Sequence, residues 1–134
     1  MKVLVVEPMK ECYTKEINGL EEMQALVGGY IQAIYPFPDK AAVVCNEEGK
    51  NLGLPFNRPL LDENDLPYDI ICGTFFVAGL GVEDFVSLTE EQIRRYKEHY
   101  DILSLGFDLP QCHEYDAEIS RKRPKGRKFA LYER

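Results

Sequence analysis

Between Val44 and Gly79 the chain reads V-C-N-E-E-G-K-N-L-G-L-P-F-N-R-P-L-L, then a short acidic link, then Y-D-I-I-C-G-T-F-F-V-A-G. Two apolar, β-branched and aromatic runs therefore flank a segment, Asn46 to Pro67, that is too rich in Asn, Gly, Pro and charge for a helix or a central strand. A chain with this punctuation must build a sheet whose strands are joined across a long connection. Connections of that length are uncommon inside compact domains, and when ordered they usually carry function. The polar residues of the 46–67 loop are thus the first candidate site: Asn46, Glu47, Lys50, Asn57 and Arg58. A planar guanidinium fork with neighbouring amides holds a phosphate, a carboxylate or a base edge with defined geometry. The competing reading is a brace, in which the asparagines bond to local backbone and Arg58 pairs with a nearby acid.

The other periodicities give an α+β order. Lys2 to Val6 reads as a buried strand and Tyr13 to Ile17 as its hairpin partner. Asn18 stands where it can cap a helix, with Glu21 in the capping-box position, Leu20, Met23, Leu26 and Val27 on one face, and Gly28-Gly29 as the stop. Tyr30 to Tyr35 and Ala41 to Cys45 read as two more strands around a Pro-rich turn. Ile70 to Ala78 is the longest apolar run and is expected to be one central strand. Thr89 and Gln92 form a capping box, with Leu88 and Ile93 at the staple positions and Ile93, Tyr96, Tyr100 and Leu103 as the buried stripe. The expectation is a mixed or antiparallel sheet of about five strands with two helices, and the opening ββα resembles the start of a β-grasp fold. Residues 1–119 form a single domain in this reading, followed by a basic tail over 120–134.

Charge divides along the same boundary. Residues 1–119 hold 9 Lys+Arg against 22 Asp+Glu, a net −13, and residues 120–134 hold 7 against 1, a net +6. An acidic body suits a basic protein surface and repels nucleic acid. The tail mixes cations with Phe129 and Tyr132, which suggests nucleic-acid contact only weakly, since the body opposes it. Lys2 is followed by only four apolar residues before Glu7 and Pro8, too few for a secretory leader, and no apolar run reaches membrane-spanning length, so the expected location is the cytoplasm, with no membrane partner.

Chemistry-bearing residues are sparse. The four cysteines, at 12, 45, 72 and 112, form no C-x-x-C pair, so neither zinc nor any other cofactor is expected. Cys45 and Cys72 lie in apolar runs and are expected to be buried, reduced core residues. A pairing of Cys72 with one of the two histidines, for instance His99, is arithmetically open, but no nucleophile motif surrounds it, so no catalytic residue is assigned.

In their order, M-K-V-L-V-V-E-P, V-G-G-Y-I, C-N-E-E-G-K, L-P-x-N-R, D-I-I-C-G-T-F and S-L-T-E-E-Q resemble the small bacterial and bacteriophage proteins catalogued as domain of unknown function 3846, over roughly residues 1–100. The resemblance implies a phage or mobile-element setting and no reaction. The expected function is accordingly a non-enzymatic accessory or regulatory protein whose acidic surface engages a host protein. The alternative is a small anionic ligand, such as a nucleotide, held through the 46–67 loop. A Cys/His enzyme comes last.

Overall fold

The computed structural model describes residues 1–105. Strand β1 (Lys2–Val6) pairs antiparallel with β2 (Tyr13–Glu16), and helix α1 (Gly19–Val27) follows. Then come β3 (Ile31–Ile34), β4 (Ala41–Asn46), β5 (Phe56–Leu61), β6 (Pro67–Cys72), β7 (Phe75–Leu80), β8 (Phe85–Val86) and helix α2 (Glu90–Leu105). The main sheet has the order β2-β1-β7-β4-β3 with β8 on the outer part of β7, while β5 and β6 form a separate two-stranded sheet. Every pairing is antiparallel, which resolves the mixed-or-antiparallel alternative.

Both faces of the main sheet are buried, which is why its strands are continuous apolar runs rather than alternating ones. Leu4, Val6, Val43, Cys45, Phe75 and Val77 face a core completed by Leu60, Tyr68 and Ile71 of the β5–β6 hairpin and by Ile93, Tyr96 and Tyr100 of α2. Val3, Val5, Ala42, Val44, Phe76 and Ala78 face a second core completed by Ile17, Met23 and Val27. The molecule is a three-layer stack with the sheet in the middle, α1 on one side, and α2 with the hairpin on the other.

Two expectations about the 44–79 stretch are corrected. The segment 46–67 is not one loop, because it contains all of β5, whose Pro59 is tolerated in a two-stranded ribbon with register shifts on either side. Nor is Ile70–Ala78 one strand. Gly73, at φ +87°, turns the chain out of the hairpin and into the main sheet, and a Cβ there would lie 2.7 Å from Leu54 Cδ1. Apolar character is continuous across 70–78 because both strands are buried, so periodicity alone could not show the break.

The helix starts differ in outcome. At α2 the reciprocal box forms: Thr89 Oγ1 accepts from the Gln92 amide at 3.1 Å, and Gln92 Oε1 accepts from the Thr89 amide at 2.9 Å. At α1 the Asn18 side chain makes no cap bond. Glu22, not Glu21, reaches back to the Asn18 amide at 2.7 Å, while Asn18 Oδ1 accepts from the N-terminal ammonium. Leu20 is exposed instead of sharing the buried face. Gly28, at φ +80°, ends α1 as expected.

Candidate functional site

Strand β5 carries Asn57 and Arg58 into the interior, and both are almost fully buried. The Asn57 amide donates to the carbonyls of Val6 (2.9 Å) and Gly73 (2.8 Å), stitching the hairpin to the ends of β1 and β6. Arg58 Nε donates to the Tyr100 carbonyl on α2 at 2.9 Å. Its Nη2 donates to the Lys10 carbonyl at 2.9 Å, and its Nη1 to Asn57 Oδ1 at 2.7 Å, with longer bonds to the Asn57 and Glu7 carbonyls. The guanidinium thus holds the β1–β2 turn, β5 and α2 together. That turn contains Met9, exposed and at φ +62°, a conformation that a non-glycine residue adopts only when its surroundings hold it there. Burial draws the Arg58 pKa down, and the nearby Cys12 and Asp101 oppose the shift.

The sequence expectation that Asn57 and Arg58 face a ligand from an extended loop is therefore corrected. Their donors go to backbone carbonyls because β5 is a buried strand. The brace reading holds in its asparagines, which bond to backbone, and is corrected only in its acid partner, since Arg58 is satisfied on carbonyls and Asn57 Oδ1 rather than in a salt bridge.

Asn46, Glu47 and Lys50 lie together elsewhere. They line a cleft of about 280 Å³ with Gln32 and Cys45. Asn46 is buried at the end of β4, where its amide caps α1 by donating to the Val27 carbonyl at 3.1 Å and its oxygen accepts from the Glu48 amide at 2.7 Å. Lys50 reaches the fully buried Asp69 of β6 at 2.5 Å, and Glu47 is exposed. The five residues are thus split between two places, and the cation in this cleft faces a carboxylate. Asp69 was missed by sequence reasoning, since an Asp inside Y-D-I-I-C carries no local sign of burial or of a partner 19 residues away.

A second missed center is Asp39, in the turn after β3. Its carboxylate accepts from Gln92 (3.1 Å), Tyr96 (2.8 Å) and Arg95 (2.8 Å) of α2 and from the Lys40 amide (2.7 Å). These bonds, Gln92 first, hold its pKa well below the usual carboxylate range. Its side-chain partners are more than fifty residues away, and only the fold brings them to the Pro-rich turn.

The thiols offer no nucleophile in the geometry described. Cys12 and Cys45 are free and buried, and burial pushes each up to about 12. Cys72 is buried as expected but disulfide-bonded, which corrects the expectation that it is reduced and commits its sulfur. His99 lies on α2 against Phe37 and Tyr100. Cys112, His113 and the basic tail fall outside the described residues. Among the described residues no group of three or more His, Cys, Asp or Glu is placed to hold a metal ion, and no helix is long and apolar enough to cross a membrane.

Fold and polar framework together define an antiparallel three-layer α+β domain, braced internally by buried Asn and Arg side chains and carrying most of its carboxylates, the buried Asp69 apart, towards its surface. The chain belongs to the family described as Domain of unknown function (DUF3846), whose model matches residues 1–101. That span ends inside α2, just beyond Tyr100, whose carbonyl Arg58 holds. No curated protein and no solved structure is similar enough to the chain to count as a match.

Proposed function

We propose that the chain is a non-enzymatic accessory protein whose acidic body engages a basic surface of another protein. In the phage or mobile-element setting implied by its motifs, that partner is a host protein of the cytoplasm. The observation that carries this reading is the fate of the cations. Residues 1–105 hold 18 Asp+Glu and 9 Lys+Arg. Of the nine, Arg58 is buried, and Lys2, Lys10, Lys50, Arg95 and Lys97 are each within ion-pair distance of a carboxylate. Glu47, Glu48, Glu63, Asp65, Glu83 and Asp84 stand exposed. Such a surface projects a negative field that accelerates encounter with a positive partner and disfavours nucleic acid.

Affinity capture from host lysate at low and high salt tests this, using the full chain beside a variant with Glu47, Glu48, Glu63 and Glu83 changed to Gln. The expected result is a stoichiometric basic protein retained by the native chain at low salt and lost from the variant. A partner retained equally by both chains and at both salt concentrations overturns the electrostatic reading. A copurified nucleotide in place of a protein returns the function to small-ligand binding.

A further inference from the structure

A cleft of about 510 Å³ lies between the turn after β3, the tip of the β5–β6 hairpin and the middle of α2. The turn contributes an aromatic and proline-rich lining, Tyr35, Pro36, Phe37 and Pro38, joined by His99 and Tyr100 of α2. The Phe37, His99 and Tyr100 rings form a connected set, with Phe37 at 5.9 Å from His99 in an edge arrangement and His99 at 4.7 Å from Tyr100. The hairpin tip also lines the cleft, and among the described residues the charged ones there are all carboxylates: Asp62, Glu63 and Asp65. Asp62 is engaged in the turn, where Oδ1 accepts from the amides of Asn64 and Leu66 at 2.8 and 3.0 Å. That bonding fixes the tip and leaves Glu63 and Asp65 exposed at the rim. Burial draws the His99 pKa down, and the Asp65 carboxylate opposes that shift.

From this juxtaposition we infer that the cleft is a docking site for a basic peptide segment of a protein partner, with a lysine or arginine side chain seated between the aromatic lining and the carboxylates of Glu63 and Asp65. A cation is attracted by ring faces and by carboxylates alike, and guanidinium also stacks on planar rings. Aromatic and proline walls suit an extended backbone, since they make apolar contacts without demanding main-chain partners. The inference rests on the acidic-body reading above and places its contact point. Glu21 and Glu22, by contrast, stand exposed on the first turn of α1, outside the cleft.

Titrating the full chain with a hexa-arginine peptide, followed by calorimetry and by the NMR signals of His99, tests the assignment. The expected result is one saturable site that shifts His99. Glu63→Gln with Asp65→Asn weakens it about tenfold, and Tyr35→Ala about fivefold, the scale of losing desolvated ion-pair and cation–π contacts. Glu21→Gln with Glu22→Gln changes it less than about twofold. Circular dichroism of each variant confirms that folding is retained. Equal weakening by both acidic pairs, with no effect of Tyr35→Ala, overturns the cleft while leaving the acidic-body reading standing. Absence of binding at low salt overturns both. Competition by spermidine at matched charge, with no preference for the peptide, reassigns the cleft to polyamines and overturns the peptide. Binding of a synthetic peptide of residues 121–134 far more tightly than hexa-arginine makes the chain's own tail the occupant and overturns the partner assignment.

Discussion

Removing the Arg58 guanidinium separates a brace from a binding residue. In Arg58→Ala two buried acceptors lose their donor, the Tyr100 carbonyl and Asn57 Oδ1, at 2.9 and 2.7 Å in the native protein. The Lys10 carbonyl belongs to an exposed turn and can be rehydrated. An orphaned buried acceptor costs about 1–3 kcal/mol, so two of them cost about 2–6 kcal/mol together, partly offset because the guanidinium no longer has to be desolvated. The void left by the lost side chain adds to the same side of the balance. The expected loss is therefore about 3–5 kcal/mol, a large fraction of the ~5–15 kcal/mol that holds a domain of this size together. Urea unfolding followed by circular dichroism reads it, with an unchanged denaturant slope showing that the same surface is exposed. Arg58→Met, which fills the volume but leaves the acceptors unpaired, should recover less than half of the loss. Arg58→Lys should fall between, because one ammonium cannot span three directions. In the native state of Arg58→Lys, amide exchange should quicken first over Glu7–Glu11, where Met9 is held at positive φ. An Arg58→Ala protein within about 1 kcal/mol of the native chain would refute the brace and return Arg58 to the ligand-binding candidates.

Thr89→Ala deletes one half of the reciprocal cap and should cost ~1 kcal/mol in urea unfolding, leaving peptide binding unchanged because Thr89 does not line the proposed cleft. Gly49→Ala would set a Cβ 2.7 Å from the Cys72 carbonyl oxygen, a backbone atom that cannot turn aside, so a loss of about 1–3 kcal/mol is expected and a neutral thermal scan would show that the β4–β5 connection is looser than described. Asp39 has a folded-state pKa below its unfolded value near 3.8, so its bonds stabilise the fold above that pH and are lost as pH falls through the folded value. Acid unfolding below about pH 4 should accordingly be blunted in Asp39→Asn relative to the native chain, and an identical acid limb for the two proteins would contradict that linkage.

Several elements are legible in the sequence because their causes are local. The capping box at Thr89 and Gln92, the Gly28 stop and the hairpin of β1 and β2 each depend on residues within a few positions of one another. The same locality explains the error at α1. Asn18 is a good cap by type, but its oxygen is taken by the N-terminal ammonium of Met1, a partner that only strand pairing brings near. The split of Ile70–Ala78 at Gly73 stayed hidden for a different reason. Strands buried on both faces lose the alternation that marks a register, and a lone glycine in an apolar run signals either a bulge or a corner.

Arg58 shows why the site was less readable than the fold. The L-P-x-N-R string contains the donors that recognition needs, and those donors look the same in sequence whether they point outward to a ligand or inward to carbonyls. Direction is set by β5 pairing with β6 and by the hairpin lying under α2, two facts that no window of the sequence contains. The family match spans residues 1–101 and so includes both Arg58 and Tyr100, the two ends of the bond between hairpin and helix. The reverse case is the cleft at the hairpin tip. Its carboxylates at 62–65 read as a short acidic link and its prolines at 36 and 38 as a turn between strands. Only the antiparallel return of the chain brings the acidic tip into one cleft with the aromatic turn, which His99 and Tyr100 of α2 also line. For that reason Glu63→Gln and Tyr35→Ala, residues from segments 28 positions apart, should weaken the same binding event, whereas a contact confined to either segment would respond to one substitution and ignore the other.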